Sequence, residues 1–293
     1  MNTLVRSESA RKAAIKERFS AWSRYWERVY DDQRSEDTPF LTQEMQKRRE
    51  TIIALIESQG SSRLTLLDVG CGAGGILAEL QRKGHKCFGV DMCLDMLKRA
   101  DARSKRLGFN PGIYSQSEAE ALPFRRTRFD GAVCCGVLQY LEDERLVLQQ
   151  MSGVVKEGGF VIVTFPNMLR LACLLDPVYS FAKISRVVSR RLRKRTARVG
   201  EVGHIDSRGN GDGGDKRYIY WTLDTCFSGC GLRREATVGI GFGPLTFWRH
   251  KLLPQSWSVR MSRIFTSLAN KKGFGSMRVL ANRWVVLLRK ESR

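Results

Sequence analysis

The chain has 293 residues, 42% of them hydrophobic, and carries 50 Lys and Arg against 30 Asp and Glu, a formal net charge of +20. That length and apolar content can bury one sizeable core and leave room for appended elements. No stretch approaches the roughly 20 uninterrupted apolar residues of a spanning helix, and residues 1–34 are studded with charge, so the expectation is a cytoplasmic protein with neither signal peptide nor transmembrane segment.

Taken in chain order, residues 9–33 read as a helix in which Phe19, Trp22, Trp26 and Tyr30 recur at spacings of three and four. A second helical pattern runs from about Thr42 to Ser58 and stops at the turn cluster Gln59-Gly60-Ser61-Ser62. Short apolar runs then alternate with amphipathic segments: strand Leu64 to Val69, helix Gly75 to Lys83, strand Cys87 to Val90, helix Leu94 to Leu107. Further strands are expected at Gly112 to Tyr114, Gly131 to Cys135 and Phe160 to Phe165. Alternating strands and helices imply right-handed crossovers and a mostly parallel sheet.

After Pro166 the alternation breaks. Residues 168–220 hold a basic amphipathic stretch followed by the Gly- and Asp-rich Ser207 to Asp215, and read as an insertion. The pattern resumes with a helix at Leu223 to Gly229, a strand at Glu235 to Ile240, a helix at Trp257 to Leu268 and a last strand at Arg283 to Leu288. The division this implies is an N-terminal helical lid (1–60), a cofactor-binding core (61–167), a basic insertion facing substrate or membrane (168–221) and a C-terminal completion of the same sheet (222–293).

The charge is uneven. Residues 168–293 contain 25 Lys and Arg against 8 Asp and Glu, whereas residues 1–167 are nearly balanced. Such an excess points to a polyanionic partner, and phospholipid and nucleic acid both remain open. Between Pro177 and Val199, Val178, Phe181, Ile184, Val188 and Leu192 share one helical face while Lys183, Arg186, Arg190, Arg193 and Lys194 share the other. A helix of that kind lies readily on anionic lipid, which would place the protein peripherally on the cytoplasmic membrane face. The eight cysteines include no paired CxxC framework, and Cys226-x3-Cys230 has no matching partner pair, so reduced thiols and no metal site are expected.

The chemistry-bearing segment is Leu66-Leu67-Asp68-Val69-Gly70-Cys71-Gly72-Ala73-Gly74-Gly75, a strand that ends in a Gly-rich turn opening a helix. Glycines there allow the backbone to approach a ligand closely. Because Gly70, Gly72 and Gly75 also satisfy the dinucleotide pattern GxGxxG, the turn alone does not separate a nicotinamide cofactor from S-adenosylmethionine. Asp68 favours the latter, since a carboxylate suits an ammonium and a sulfonium better than a pyrophosphate. Asp91 ends the next strand, where a carboxylate can accept both ribose hydroxyls.

Read together with Glu118-Ala119-Glu120-Ala121-Leu122-Pro123-Phe124 and with Phe129-Asp130-Gly131-Ala132-Val133-Cys134-Cys135-Gly136-Val137-Leu138, the sequence resembles the class I S-adenosylmethionine-dependent methyltransferases, in their small-molecule branch. The resemblance is close over residues 64–166, returns in the closing strand near Arg283 to Lys290, and is only an outline between. It implies a Rossmann-like, doubly wound α/β fold: a mostly parallel seven-stranded sheet with an antiparallel last strand. It further implies that Asp68, Gly70, Cys71 and Gly72 line the methionine end of S-adenosylmethionine, that Asp91 holds the ribose and that Met92 covers the adenine. Glu118 would accept from the adenine amino group, Ala119 would offer its backbone amide, and Cys135 and Gly136 would lie beside the transferable methyl.

Where many relatives read Val-Leu-Glu-His, this chain reads Val137-Leu138-Gln139-Tyr140, which argues against metal assistance. The Asn/Asp-Pro-Pro-aromatic motif of nucleobase amino-methyltransferases is absent too. The acceptor pocket is expected beneath the N-terminal helices and the insertion, with His204 as candidate base and Tyr140 and His250 as its competitors. The leading expectation is O-methylation of an apolar or lipid-like small molecule. An RNA or protein methyltransferase gripping its substrate with the basic C-terminal portion is the alternative, and an inactive cofactor-binding module is a third. Oligomeric state is not legible.

Overall fold

The computed structural model describes residues 2–31, 40–60, 63–109, 113–141, 143–178, 216–248 and 250–291. The basic helix expected between Pro177 and Val199 falls almost wholly outside the described residues, and so does His204.

The sheet is built from β1 (Thr65–Val69), β2 (Lys86–Asp91), β3 (Ile113–Gln116), β4 (Phe129–Cys134), β5 (Val155–Pro166), β6 (Leu232–Ile240) and β9 (Arg283–Lys290). Their order across the sheet is β3-β2-β1-β4-β5-β9-β6. The first five pair in parallel, and β9 runs antiparallel between β5 and β6. This is the mostly parallel sheet that the alternation implies, with the antiparallel last strand that the resemblance adds. The order reverses at β1/β4, which opens a crevice at the carboxyl ends of those strands, where open α/β sheets bind their ligands.

Successive side chains of β1 face opposite sides, and each side is covered. Leu67 and Val69 pack with Phe88, Phe129, Val163 and Phe227 on one face, whereas Leu66 packs with Ile52, Ile56, Leu77 and Leu80 on the other. Each such side chain contributes roughly 1.5–3 kcal/mol by leaving water. The covering helices are α3 (Phe40–Glu57), α4 (Gly75–Arg82) and α5 (Leu94–Arg106), together with α6 (Glu144–Val154) and α8 (Leu223–Ser228) on the β4–β6 side. The α6 helix is not among the segments the periodicity picks out. Its start is fixed by Asp143, whose carboxylate accepts from the Arg145 N–H at 2.9 Å.

Two expectations change at the N-terminus and after β6. The single helix read over residues 9–33 is two, α1 (Asn2–Ala21) and α2 (Ser23–Asp31), joined at Trp22. The aromatic stripe is therefore split: Phe19 and Trp26 pack inward with Ala73, Cys93 and Met96, while Trp22 is 55% exposed. A short ribbon, β7 (Thr246–Phe247) with β8 (His250–Lys251), precedes α9 (Gln255–Ala269) and has no counterpart in the strands read from the sequence.

The insertion leaves and rejoins the sheet at one point. Tyr218 N–H donates to Pro166 O and Met168 N–H to Tyr218 O, both at 2.9 Å, and Tyr218 itself is buried with its hydroxyl donating to Leu138 O. The short α7 (Leu171–Leu175) follows on the outgoing side. All eight cysteines are free thiols. Among the described residues no helix is long and apolar enough to cross a membrane.

Candidate active site

The turn after β1 is held by its own backbone. Gly70 and Cys71 both donate their N–H to Val90 O, at 2.7 and 3.0 Å, which ties the turn to the end of β2. Gly70 has φ +72°, and a Cβ there would lie 2.2 Å from Val137 Cγ2, so only glycine fits. At Gly72, with φ +53°, a Cβ would meet nothing within 4 Å, because the turn faces open space at this point. From below, the buried Arg103 donates its Nε–H to Ala73 O at 2.9 Å.

Asp91 is fixed at the adjoining strand end. Its Oδ2 accepts from Gly72 N–H at 2.9 Å and its Oδ1 from Cys93 N–H at 2.8 Å. Burial raises its pKa, and those two donors oppose the rise. Each carboxylate oxygen keeps further acceptor capacity beside the cavity.

That cavity has a volume of about 330 Å³ and its wall includes Gly70, Cys71, Gly72, Asp91, Met92, Glu118, Ala119, Cys135, Gly136 and Tyr140. Residues separated by up to 70 positions are thus gathered around one space. Asp68 is the exception. It lies beneath the turn, 2% exposed, and does not line the cavity; alternation along β1 turns its side chain into the protein. Its Oδ1 is buried without a hydrogen-bond partner, and burial, reinforced by the Asp91 charge, pushes its pKa up to about 7. An ionised Asp68 is stabilised only when a positive charge arrives nearby. An orphaned carboxylate oxygen, a second carboxylate at the next strand end and a glycine turn open to solvent space form a donor set that fits a cationic adenosyl cofactor.

Glu118 is half exposed and bound by Lys12 of α1 at 2.7 Å, and Lys12 also reaches Glu120 at 3.4 Å. Gly136, with φ +76°, donates its N–H to Thr164 Oγ1 at 2.8 Å. Tyr140 stands edge-on to Phe19 with ring centroids 5.4 Å apart, the Arg18 guanidinium lies 5.1 Å from its ring centroid, and its carbonyl accepts from Arg11. The roof over the cavity consists of Ile15, Phe19 and Trp26 from α1 and α2, with Leu41, Met45 and Arg48 from α3. Arg48 and Arg283 are wall residues that the sequence did not reveal. An arginine on a helix or at a strand end reads as solvated surface, and only the docking of α3 against β9 turns these two inward. Among the described residues no three metal-ligating side chains gather.

Residues 67–163 match the family model described as a methyltransferase domain. A ubiquinone biosynthesis O-methyltransferase of Leptothrix cholodnii is 34% identical over 106 residues, which are 36% of this chain and 45% of that protein. The chain thus carries a methyltransferase domain over residues 67–163. A second ubiquinone biosynthesis O-methyltransferase, from Erwinia tasmaniensis, is 29% identical over 192 residues, 64% of this chain and 69% of that protein. The chain spans about half the length of the first of these relatives. The magnesium protoporphyrin IX methyltransferase of Synechocystis PCC 6803, crystallised with S-adenosylmethionine, superposes with a TM-score of 0.59 at 11% identity, over 96% of this chain and 97% of that one. At that identity the superposition speaks for the fold of the methyltransferase, not for its acceptor.

Proposed function

We propose that the protein transfers a methyl group from S-adenosylmethionine to an oxygen of a small apolar or lipid-like acceptor. The observation that carries this reading is the cavity itself: a glycine turn and the Asp91 carboxylate on its floor, and an apolar roof of Ile15, Phe19, Trp26, Leu41 and Met45 above. The similar ubiquinone biosynthesis O-methyltransferases support the choice of oxygen and of an apolar acceptor.

In this reading Asp91 accepts the ribose hydroxyls, Gly70, Cys71 and Gly72 border the methionine portion, and Asp68 balances its positive charge from below. Met92 and the Ala119 amide contact the adenine, and Glu118 accepts from its amino group in competition with Lys12. The bound cofactor supplies an activated methyl on a sulfonium. The protein's part is alignment and exclusion of water: Cys135 and Gly136 border the transfer point and the aromatic roof closes it. Tyr140 is retained as the wall residue that orients the acceptor, and His204, as candidate base, lies outside the described residues.

The membrane-facing part of the reading has its own support. Thr246 Oγ1 donates to Asp176 Oδ2 at 2.7 Å, which holds the ribbon against the end of α7. Around that junction Leu174, Leu175, Phe247 and Leu252 are exposed, as are Trp248 at 61% and Trp257 at 63%. Exposed aromatic and aliphatic side chains beside Lys251 and Arg260, in the strongly basic C-terminal portion, are the composition of an interfacial lipid contact. Nucleic acid has no comparable support among the described residues.

Incubation with methyl-labelled S-adenosylmethionine and fractionated cell extract tests the assignment. Label in the lipid-soluble fraction is the expected outcome, and label confined to RNA or protein would overturn it. Sedimentation with anionic vesicles, for the native chain and for a Trp248→Ser, Trp257→Ser variant, tests the surface. The native chain should sediment and the variant should lose most of that binding.

A further inference from the structure

At one end of the cavity two guanidinium groups converge. Leu41, Met45 and Arg48 recur at spacings of four and three along α3, so one helical face presents two apolar side chains and then a cation to the same space. Arg48 is only 4% exposed, and its Nη1 lies 3.4 Å from the point a Cβ on Gly136 would occupy. Arg283, the first residue of β9, also reaches the wall, oriented by Nε–H donation to Glu44 Oε1 at 2.9 Å and Nη1–H donation to Gln139 Oε1 at 2.8 Å. The two charges act on one place: Arg48 and Arg283 both pull the Cys135 thiol pKa down, against the burial that raises it. Glu44 holds Arg283, and the Asp68 charge beneath the turn also acts on Cys135, in the opposite sense. Asp91, Glu118 and Glu120 line the wall elsewhere, the latter two engaged by Lys12.

We propose that Arg48 and Arg283 form an anion clamp beside Gly136, and that the acceptor is an amphipathic acid: an apolar body carrying an ionised oxygen group, carboxylate or phenolate, held by the clamp. The proposal rests on the methyltransferase reading above and narrows its acceptor from apolar to apolar with one anionic head. Two features of the wall carry it. Arginine presents a planar fork of donors that matches a carboxylate or an oxyanion, and such charge-assisted pairs are the strong ones in a site shielded from water. The apolar residues Ile15, Phe19, Trp26, Leu41 and Met45 accommodate the remainder of the molecule. Glu44 and Gln139 hold Arg283 in place, so the clamp is organised before the ligand arrives.

The test uses the full chain saturated with S-adenosylhomocysteine and follows tryptophan fluorescence, for which Trp26 in the wall is the reporter. The probes are para-octylbenzoate against para-octylbenzamide, and an octyl nitrophenolate against its methyl ether. In the native protein at least one anion should bind about tenfold tighter than its neutral counterpart, and the pair that shows the preference tells carboxylate from phenolate. Arg48→Gln and Arg283→Gln should reduce the preference to about twofold, Arg48→Lys should retain part of it, and S-adenosylhomocysteine affinity should be unchanged in all three. The comparison within the native protein needs no variant to fold, and Arg48→Lys controls for loss of packing. Equal binding of anion and neutral probe, failure of both anions to bind, or a preference that survives Arg48→Gln would overturn the clamp. Failure of native protein to bind S-adenosylhomocysteine would instead overturn the methyltransferase reading itself.

Discussion

The floor and the roof of the cavity are made differently. On the floor, ligand-facing groups are set by backbone: Gly70 and Cys71 bonded to Val90 O, Asp91 bonded to Gly72 and Cys93, all at the ends of parallel strands. In the roof, position comes from side-chain packing of α1, α2 and α3 across the sheet edge, with Phe19 and Trp26 against Cys93 and Met96. A backbone-built floor tolerates almost no substitution but suits any acceptor. A side-chain roof tolerates change, and in the proposed reading it is the part that selects the acceptor.

The sharpest way to break this contrast is at Gly70. A methyl there meets Val137 at 2.2 Å in a left-handed conformation, so Gly70→Ala should cost about 3 kcal/mol of stability and weaken S-adenosylhomocysteine binding more than 100-fold by order of magnitude. Chemical unfolding and calorimetry check the two effects. Gly72→Ala separates them: its Cβ meets nothing, so the fold should lose only about 1 kcal/mol while the cofactor still loses its place.

Next in size is Asp91→Ala, which would remove the two proposed charge-assisted ribose contacts and should weaken cofactor binding by about 2–3 kcal/mol. Unchanged affinity in calorimetry would contradict the role given to this carboxylate.

Asp68 adds a dependence on pH. Its folded pKa is raised from 3.8 to about 7, so the folded chain holds the proton more tightly than the unfolded chain. The stability this contributes is complete below pH 3.8 and is lost as pH rises through about 7. S-adenosylmethionine, being cationic, should bind better once Asp68 ionises, by about tenfold between pH 6 and pH 8. Asp68→Asn should flatten both profiles, measured by thermal unfolding without ligand and by titration with it.

The smallest effects belong to the roof. Phe19→Ala and Trp26→Ala should each leave S-adenosylhomocysteine affinity within about twofold and raise the acceptor KM by about fivefold, near 1 kcal/mol of lost apolar contact. Equal losses in cofactor and acceptor binding would mean that floor and roof are not separable.

The sequence by itself determined the floor. Gly70, Gly72 and Asp91 are legible because strand, turn and strand end are consecutive, and local backbone geometry demands those residue types at those spacings. The seven strands followed from the same alternation, while α6, although its buried Val147, Leu148, Met151 and Val154 fall at helical spacing, and the two-residue strands of the ribbon at residues 246–251 went unread. Tertiary structure alone decided the rest. It put Asp68 beneath the cavity instead of on its wall, since side chains alternate across a strand. It split the N-terminal helix at Trp22 and so sent one ring of the aromatic stripe outward. It brought Arg48 and Arg283 together from 235 positions apart. No pattern along the chain marks that meeting, because it depends on how α3 docks against β9, and docking is settled by the packing of whole faces.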